Sequence, residues 1–141
     1  MSQEELELVT RAVRAATARP RPDFATINEI FHPDHVFVPV TGQIDAKEYQ
    51  GGRGYQQFLR QELGNVGARD AALSWEANFE GAVDAGNHKV ITVSSVRLQG
   101  SASGVEFEQR LWVVMTVRDG RIVRTESHTD PTEAFKSALA E

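Results

Sequence analysis

Cysteine is missing altogether from the 141 residues. That excludes disulfides, thiol nucleophiles and zinc–thiolate centres. An excess of positive charge is missing too: 15 Lys and Arg face 20 Asp and Glu, for a formal net charge of −5. Without a basic footprint, nucleic acid is not an expected partner. No apolar run reaches membrane-spanning length, so no membrane partner is expected either. The opening MSQEELELV is acidic and amphipathic, unlike the basic-then-apolar grammar of a signal peptide. By exclusion, the expectation is a cytoplasmic protein. His32 and His35 stand close together, but Pro33 lies between them and no inward acidic residue joins them. Neither a metal nor a cofactor is expected.

What is present is ordinary for one domain over residues 1–141: 40% hydrophobic and 25% charged residues. Leu6, Val9, Val13 and Ala16 recur at helical spacing until Pro20 and Pro22 stop the pattern. Asp23 is placed to cap a second short helix, with Phe24, Ile27, Ile30 and Phe31 facing inward. HPDHVFVPV then reads as a turn and a short strand. GGRGYQQFLRQELGN reads as a flexible entry to a helix with Tyr55, Phe58, Leu59 and Leu63 on one stripe.

From Leu73 onward the period drops to two. Leu73, Trp75, Ala77 and Phe79 alternate with polar residues, and strands over 88–98 and 105–117 and after RDG follow. Asp130, Pro131 and Glu133 match the start of a final helix carrying Phe135 and Leu139. Helices first, then an antiparallel meander, then a short C-terminal helix predict an α+β fold.

RTESHTDPTEAF looks at first like an active site, because Glu126, His128 and Asp130 share one strand face. The register of the VRDGR hairpin decides where that face points, since a one-residue slip exchanges faces. A three-residue loop keeps the charges off the apolar side, where burying them unpaired costs several kcal/mol, roughly. The triplet is therefore expected outside, with Glu126 solvated, His128 on the surface and Asp130 a helix cap. The same loop in VDAGNHK places Ile91, Val93, Ser95 and Arg97 beside Leu73, Trp75, Ala77 and Phe79 on the inner face.

An apolar concavity with sparse polar groups suits a small molecule. Its expected walls are Phe37, Trp75, Phe107, Leu111, Val113 and Met115. Ser95, Arg97, Gln109, Thr125 and Ser127 would orient a polar end, and Arg97 would suit a carboxylate or enolate oxygen. His35, Tyr49 and Arg97 are the weaker catalytic candidates, and His35 reads more readily as a surface turn residue. Val90, Val96, Leu98, Trp112 and Val114 then point outward, which suggests a homodimer through the outer sheet face.

FHPDHVFVPV, YQGGRGYQQFLRQ, DAGNHKVITVSSVRLQGSASGVEFEQ and VRDGRIVRTESHTDPTEAF run in an order that resembles the SnoaL-like family of the nuclear transport factor 2-like (ketosteroid isomerase and polyketide cyclase-like) superfamily. The resemblance implies a cone: a curved mixed sheet wrapped around the N-terminal helices, enclosing a pocket, often dimeric. It implies a catalytic aspartate a few residues after the DG turn in the cyclases and epoxide hydrolases. That position is Ser127 here, and the histidine of the cyclases falls at Val113. The Arg-x-Asp pair of the epoxide hydrolases has no counterpart in ITVSSVRLQ. A neutral serine cannot act as the carboxylate base. The leading expectation is a binder of a small apolar molecule. The alternatives are a cyclase- or isomerase-like enzyme acting on a polyketide, steroid or terpene-like substrate, and a non-catalytic dimerisation module.

Overall fold

Among the described residues the chain forms four helices and six strands. The structure is a computed structural model that describes residues 3–18, 22–38, 48–58, 73–100 and 106–140. Helix α1 (Gln3–Ala16) carries Glu4 and Glu5 in its first turn and Arg14 in its last, each sign suited to the helix dipole. Its buried stripe is Val9, Ala12, Val13 and Ala15. Asp23 caps α2 (Phe24–Ile30) by accepting from the Thr26 N–H at 3.2 Å. Strand β1 (Phe31–Val38) follows at once, then β2 (Tyr49–Gln50) and α3 (Gly51–Phe58). Two glycines let α3 approach closely. A Cβ on Gly54 would sit 2.8 Å from the Tyr49 Cβ, and one on Gly52 would overlap the Asn28 side chain. Leu59 and Leu63, and the side chains of Tyr55 and Phe58, lie outside the described residues.

Strands β3 (Leu73–Gly86), β4 (Lys89–Gly100), β5 (Glu106–Arg118) and β6 (Arg121–His128) form the meander, and α4 (Pro131–Leu139) ends the chain. The sheet is open and mixed, in the order β2-β1-β6-β5-β4-β3, with β1 and β6 parallel and the other pairs antiparallel. Helices α1 and α2 cover one face, burying Val9, Val13, Ile27 and Ile30 against Val90, Met115, Val117 and Ile122. This is the α+β arrangement expected from the element order.

Both hairpins differ from the expected loops. Asn87 and His88 (φ 53° and 61°) make one turn, and Asp119 and Gly120 (φ 54° and 74°) the other. Positive φ at both central residues is the requirement of a two-residue type I′ turn. Register is then shifted by bulges. Val123 is the extra residue on β6, while Glu80 and Ala85 are extra on β3. On β6 the bulge cancels the shorter loop. Ser127 faces Val113 and Thr125 faces Met115, as a three-residue loop would also have placed them on the helix side. Glu126 stands beside Val114 and His128 beside Trp112, on the other face.

On β3 the bulges have the opposite consequence. Phe79 pairs with Ser94 and Ala77 with Val96, so the helix-facing residues of β4 are Val90, Thr92, Ser94 and Val96. Ser95 and Arg97 are therefore not on the inner face. Ser95 pairs with Arg110, and Arg97 forms an ion pair with Glu108 at 3.3 Å. Val90 and Val96 move inward by the same step, and Leu98 stands opposite Phe107 in that register. Of the residues expected to form an outer dimer face, Trp112 and Val114 stay outside.

That outer face is not simply solvated. Helix α4 lies on it, with Ala134 and Ala138 buried against Ile91 and Val114. Phe135 and Leu139 point away and are exposed. Small residues let the helix sit close to the sheet. Asp130 does cap α4, accepting from the Thr132 N–H at 2.8 Å with Pro131 at the first position. Asp130→Ala should cost about 1 kcal/mol of stability in urea denaturation, and an unchanged midpoint would deny the cap its role.

Candidate ligand site on the concave face

Register arranges the helix-facing residues in cross-strand rows. The first row that crosses from β4 to β2 is Val90, Met115, Thr125, Phe37 and Tyr49, all buried. The next row is Ala82, Thr92, Val113 and Ser127. Beyond it come Phe79, Ser94 and Leu111, and then Ala77, Val96 and Gln109. Burial falls along this direction. Thr92 is fully buried, Ser94 and Ser127 nearly so, and Leu111, Val96, Gln109 and Ala77 are half-buried. Helices α1 and α2 cover the concave face at its turn end, and exposure rises toward Gln109.

Each row holds at least one neutral polar group. Thr92 and Ser127 flank Val113 at two strand spacings, about 10 Å. Gln109 donates its amide to the Arg110 carbonyl at 2.9 Å. His35, on β1 just before the first row, is fully buried, which overturns its reading as a surface turn residue. Its ring stacks on Phe31 (centroids 3.8 Å apart) and its Nε2 lies 2.9 Å from the Thr125 hydroxyl. Burial, assisted by the nearby Arg124 charge, lowers the His35 pKa to about 4, so the imidazole is neutral at physiological pH. His35 Nδ1 and Thr92 Oγ1 are buried with no hydrogen-bond partner. Tyr49 is buried beside Phe37, with ring centroids 6.4 Å apart.

The conspicuous triplet forms a different assembly on the outer face. Glu126 accepts from Arg124 Nε at 2.6 Å and from the Ser137 hydroxyl at 2.6 Å, with His128 Nε2 at 3.4 Å. Burial alone would raise the Glu126 pKa. The bonds from Arg124 and Ser137 outweigh it and hold the carboxyl below its ordinary value. Glu126 and His128 are thus outside the cone but buried under α4, not solvated as expected. The serine bonds to the carboxylate and not to the histidine, so this is a fastening of the helix and lacks a nucleophile–base pair. Two surface depressions, of about 660 and 840 Å³, lie beside α1 and do not reach the concave rows. Among the described residues no three His, Asp or Glu groups could hold a metal ion. Nor is any helix there long and apolar enough to cross a membrane.

No protein-family model matches the sequence, and no curated protein matches it. Solved structures do match. An NTF2-like protein from Burkholderia thailandensis superposes with a TM-score of 0.67 over 100% of both chains at 22% identity. An LEH-like epoxide hydrolase from M. tuberculosis gives 0.62 over 98% of this chain and 91% of its own, at 20% identity. TerC, co-crystallised with polyporic acid, gives 0.67 over 98% and 100%, at 17% identity. The chain has the nuclear transport factor 2-like fold.

Within this NTF2-like cone, Phe37, Gln109, Leu111, Val113, Met115, Thr125 and Ser127 lie on the helix-facing side as expected. The side chains of Trp75 and Phe107 lie outside the described residues. The residues that the sequence reading left out are Thr92, Ser94 and Val96. One signal was available: the apolar series Trp75, Ala77, Phe79 breaks at Glu80-Gly81 and resumes at Ala82, one residue out of phase. A glycine at a phase break is how a bulge shows itself. Ser127 and Val113, which the SnoaL-like resemblance sets at the acid and histidine positions, stand directly opposite each other.

Proposed function

We propose that the chain is a SnoaL-like binding protein that holds a small, largely apolar molecule on its concave face and performs no carboxylate-based catalysis. The observation that carries this reading is the row Thr92–Val113–Ser127, hydroxyls on either side of an apolar floor, on a face whose exposure rises toward Gln109. Pockets with apolar walls and a few fixed polar groups hold and orient ligands. The fold's ability to take up a small molecule is supported by TerC, which was crystallised with polyporic acid. Full-length protein should raise the fluorescence of Nile red with a stoichiometry near one per chain. Leu111→Asp should weaken that binding about tenfold, whereas Val83→Asp, on an exposed outer position, should leave it unchanged. Equal effects of the two substitutions would remove the concave face as the site.

An enzyme of the cyclase or isomerase type is the second reading, and the buried His35–Thr125 pair beside Tyr49 is what favours it. A histidine whose pKa lies near 4 is a weak base and is not available as an acid at neutral pH, which weighs toward binding. Loss of a turnover activity in His35→Ala or Tyr49→Phe protein that remains folded would reverse that preference. A homodimer through the outer face, now on Trp112, Val93 and the exposed Phe135 and Leu139 of α4, is the partner proposed for either reading. Sedimentation velocity of Leu139→Asp tests it, because a dimer on this face should dissociate.

A further inference from the structure

The proposed concave site has a feature that selects among apolar ligands: its described residues supply polarity without charge. Among the described residues, the rows from β3 to β6 hold Thr92, Ser94, Gln109, Thr125 and Ser127, with His35 behind them. Arg97, the guanidinium expected there, is on the outer face and committed to Glu108. The one carboxylate in register with the first row, Asp84, is exposed at the sheet edge, and its Oδ1 accepts from the Gly86 N–H at 2.8 Å. Among the described residues a carboxylate, phosphate or ammonium ligand would therefore lose its water without meeting a counter-charge, the costliest kind of burial.

The second observation is a fully buried hydroxyl within these rows that lacks a hydrogen-bond partner, Thr92 Oγ1. Buried polar groups of this kind are rare in folded proteins and each calls for a reason. The Thr92 hydroxyl can both donate and accept, and a ligand hydroxyl meets it in either sense.

Resting on the reading of the concave face as a binding site, we infer that its ligand is uncharged and carries a hydroxyl at its buried end, next to Thr92. Three probes of one shape separate the requirements: naphthalene, 2-naphthol and 2-naphthoate, measured by equilibrium dialysis against the full chain near neutral pH. The alcohol should bind about tenfold more tightly than either the hydrocarbon or the anion. Thr92→Val, which keeps the shape and removes the hydroxyl, should bring the alcohol within about threefold of naphthalene while leaving naphthalene itself unchanged. Circular dichroism shows that the variant is folded, and Ser94→Ala provides a second variant if it is not.

Naphthoate binding as tightly as naphthol would overturn the requirement for a neutral ligand. Naphthalene matching naphthol, or a Thr92→Val protein that still prefers the alcohol, would overturn the hydroxyl. Nile red binding with no binding of the three probes refutes this inference alone. Failure of Nile red as well refutes the binding site itself.

Discussion

Between about pH 7 and pH 5 the protein should lose about 2 kcal/mol of stability through a single side chain, His35. In the unfolded chain this imidazole takes up a proton near its ordinary value of 6.5, while in the fold burial holds it to about 4. A group whose folded pKa is depressed in this way contributes its full stability above the unfolded value. The contribution is lost as the pH falls through the interval, and reaches about 3 kcal/mol by pH 4. Urea denaturation of the wild type and of His35→Phe at several pH values checks it. Phenylalanine preserves an aromatic ring against Phe31 and cannot titrate, so the variant's stability should be nearly flat between pH 7 and 5. Parallel curves for the two proteins would mean that the imidazole is not held neutral by the fold. The same experiment bears on function, because a His35 that stays neutral at pH 5 is not a general acid.

Removal of the Glu126 carboxylate should have a comparable effect by another route. Glu126→Ala is expected to cost about 3 kcal/mol, because it takes away an acceptor shared by Arg124, Ser137 and His128 beneath α4. Ser137→Ala removes one of these bonds and should cost about 1 kcal/mol. Amide exchange is the more informative measurement. Nine residues are too few for a helix to persist without its packing, so exchange in Pro131–Leu139 should accelerate well before the strands respond. Exchange rising equally in every element would show that Glu126 supports the whole sheet and not the helix. Since the Glu126 carboxyl lies below its ordinary 4.5, its contribution is present above that value and is lost only at lower pH, beneath the His35 window.

Much of the architecture could be read from the chain because it rests on local chemistry. Helix α1 declared itself by apolar spacing, Asp23 and Asp130 by cap grammar, and the strands of the meander by their period of two. The inner side of β5 and β6 was also legible, because burying Glu126 beside Val113 would have been expensive whatever the loop length. Three things were not legible, for separate reasons. The faces of β4 depended on whether Glu80 is bulged, and a bulge is a tertiary decision that one residue of slack leaves open. The burial of His35 comes from the docking of β1 between β2 and β6, a parallel contact far apart in sequence. The outer face was read as a dimer surface because no local signal sets α4 against it, whereas Ala134 and Ala138 make that contact.

The bulges on β3 have a consequence beyond register. β3 is the last strand on its side of an open sheet, so its free edge offers hydrogen-bonding groups to any extended chain that passes. A straight edge from Leu73 to Gly86 would be an inviting template for aggregation. Glu80 and Ala85 break it into short runs, Leu73–Phe79 and Gly81–Asp84, each twisted away from the next. The two inserted residues that hide the ligand face from a sequence reader also deny an incoming strand a continuous partner, and so guard a cone that never closes.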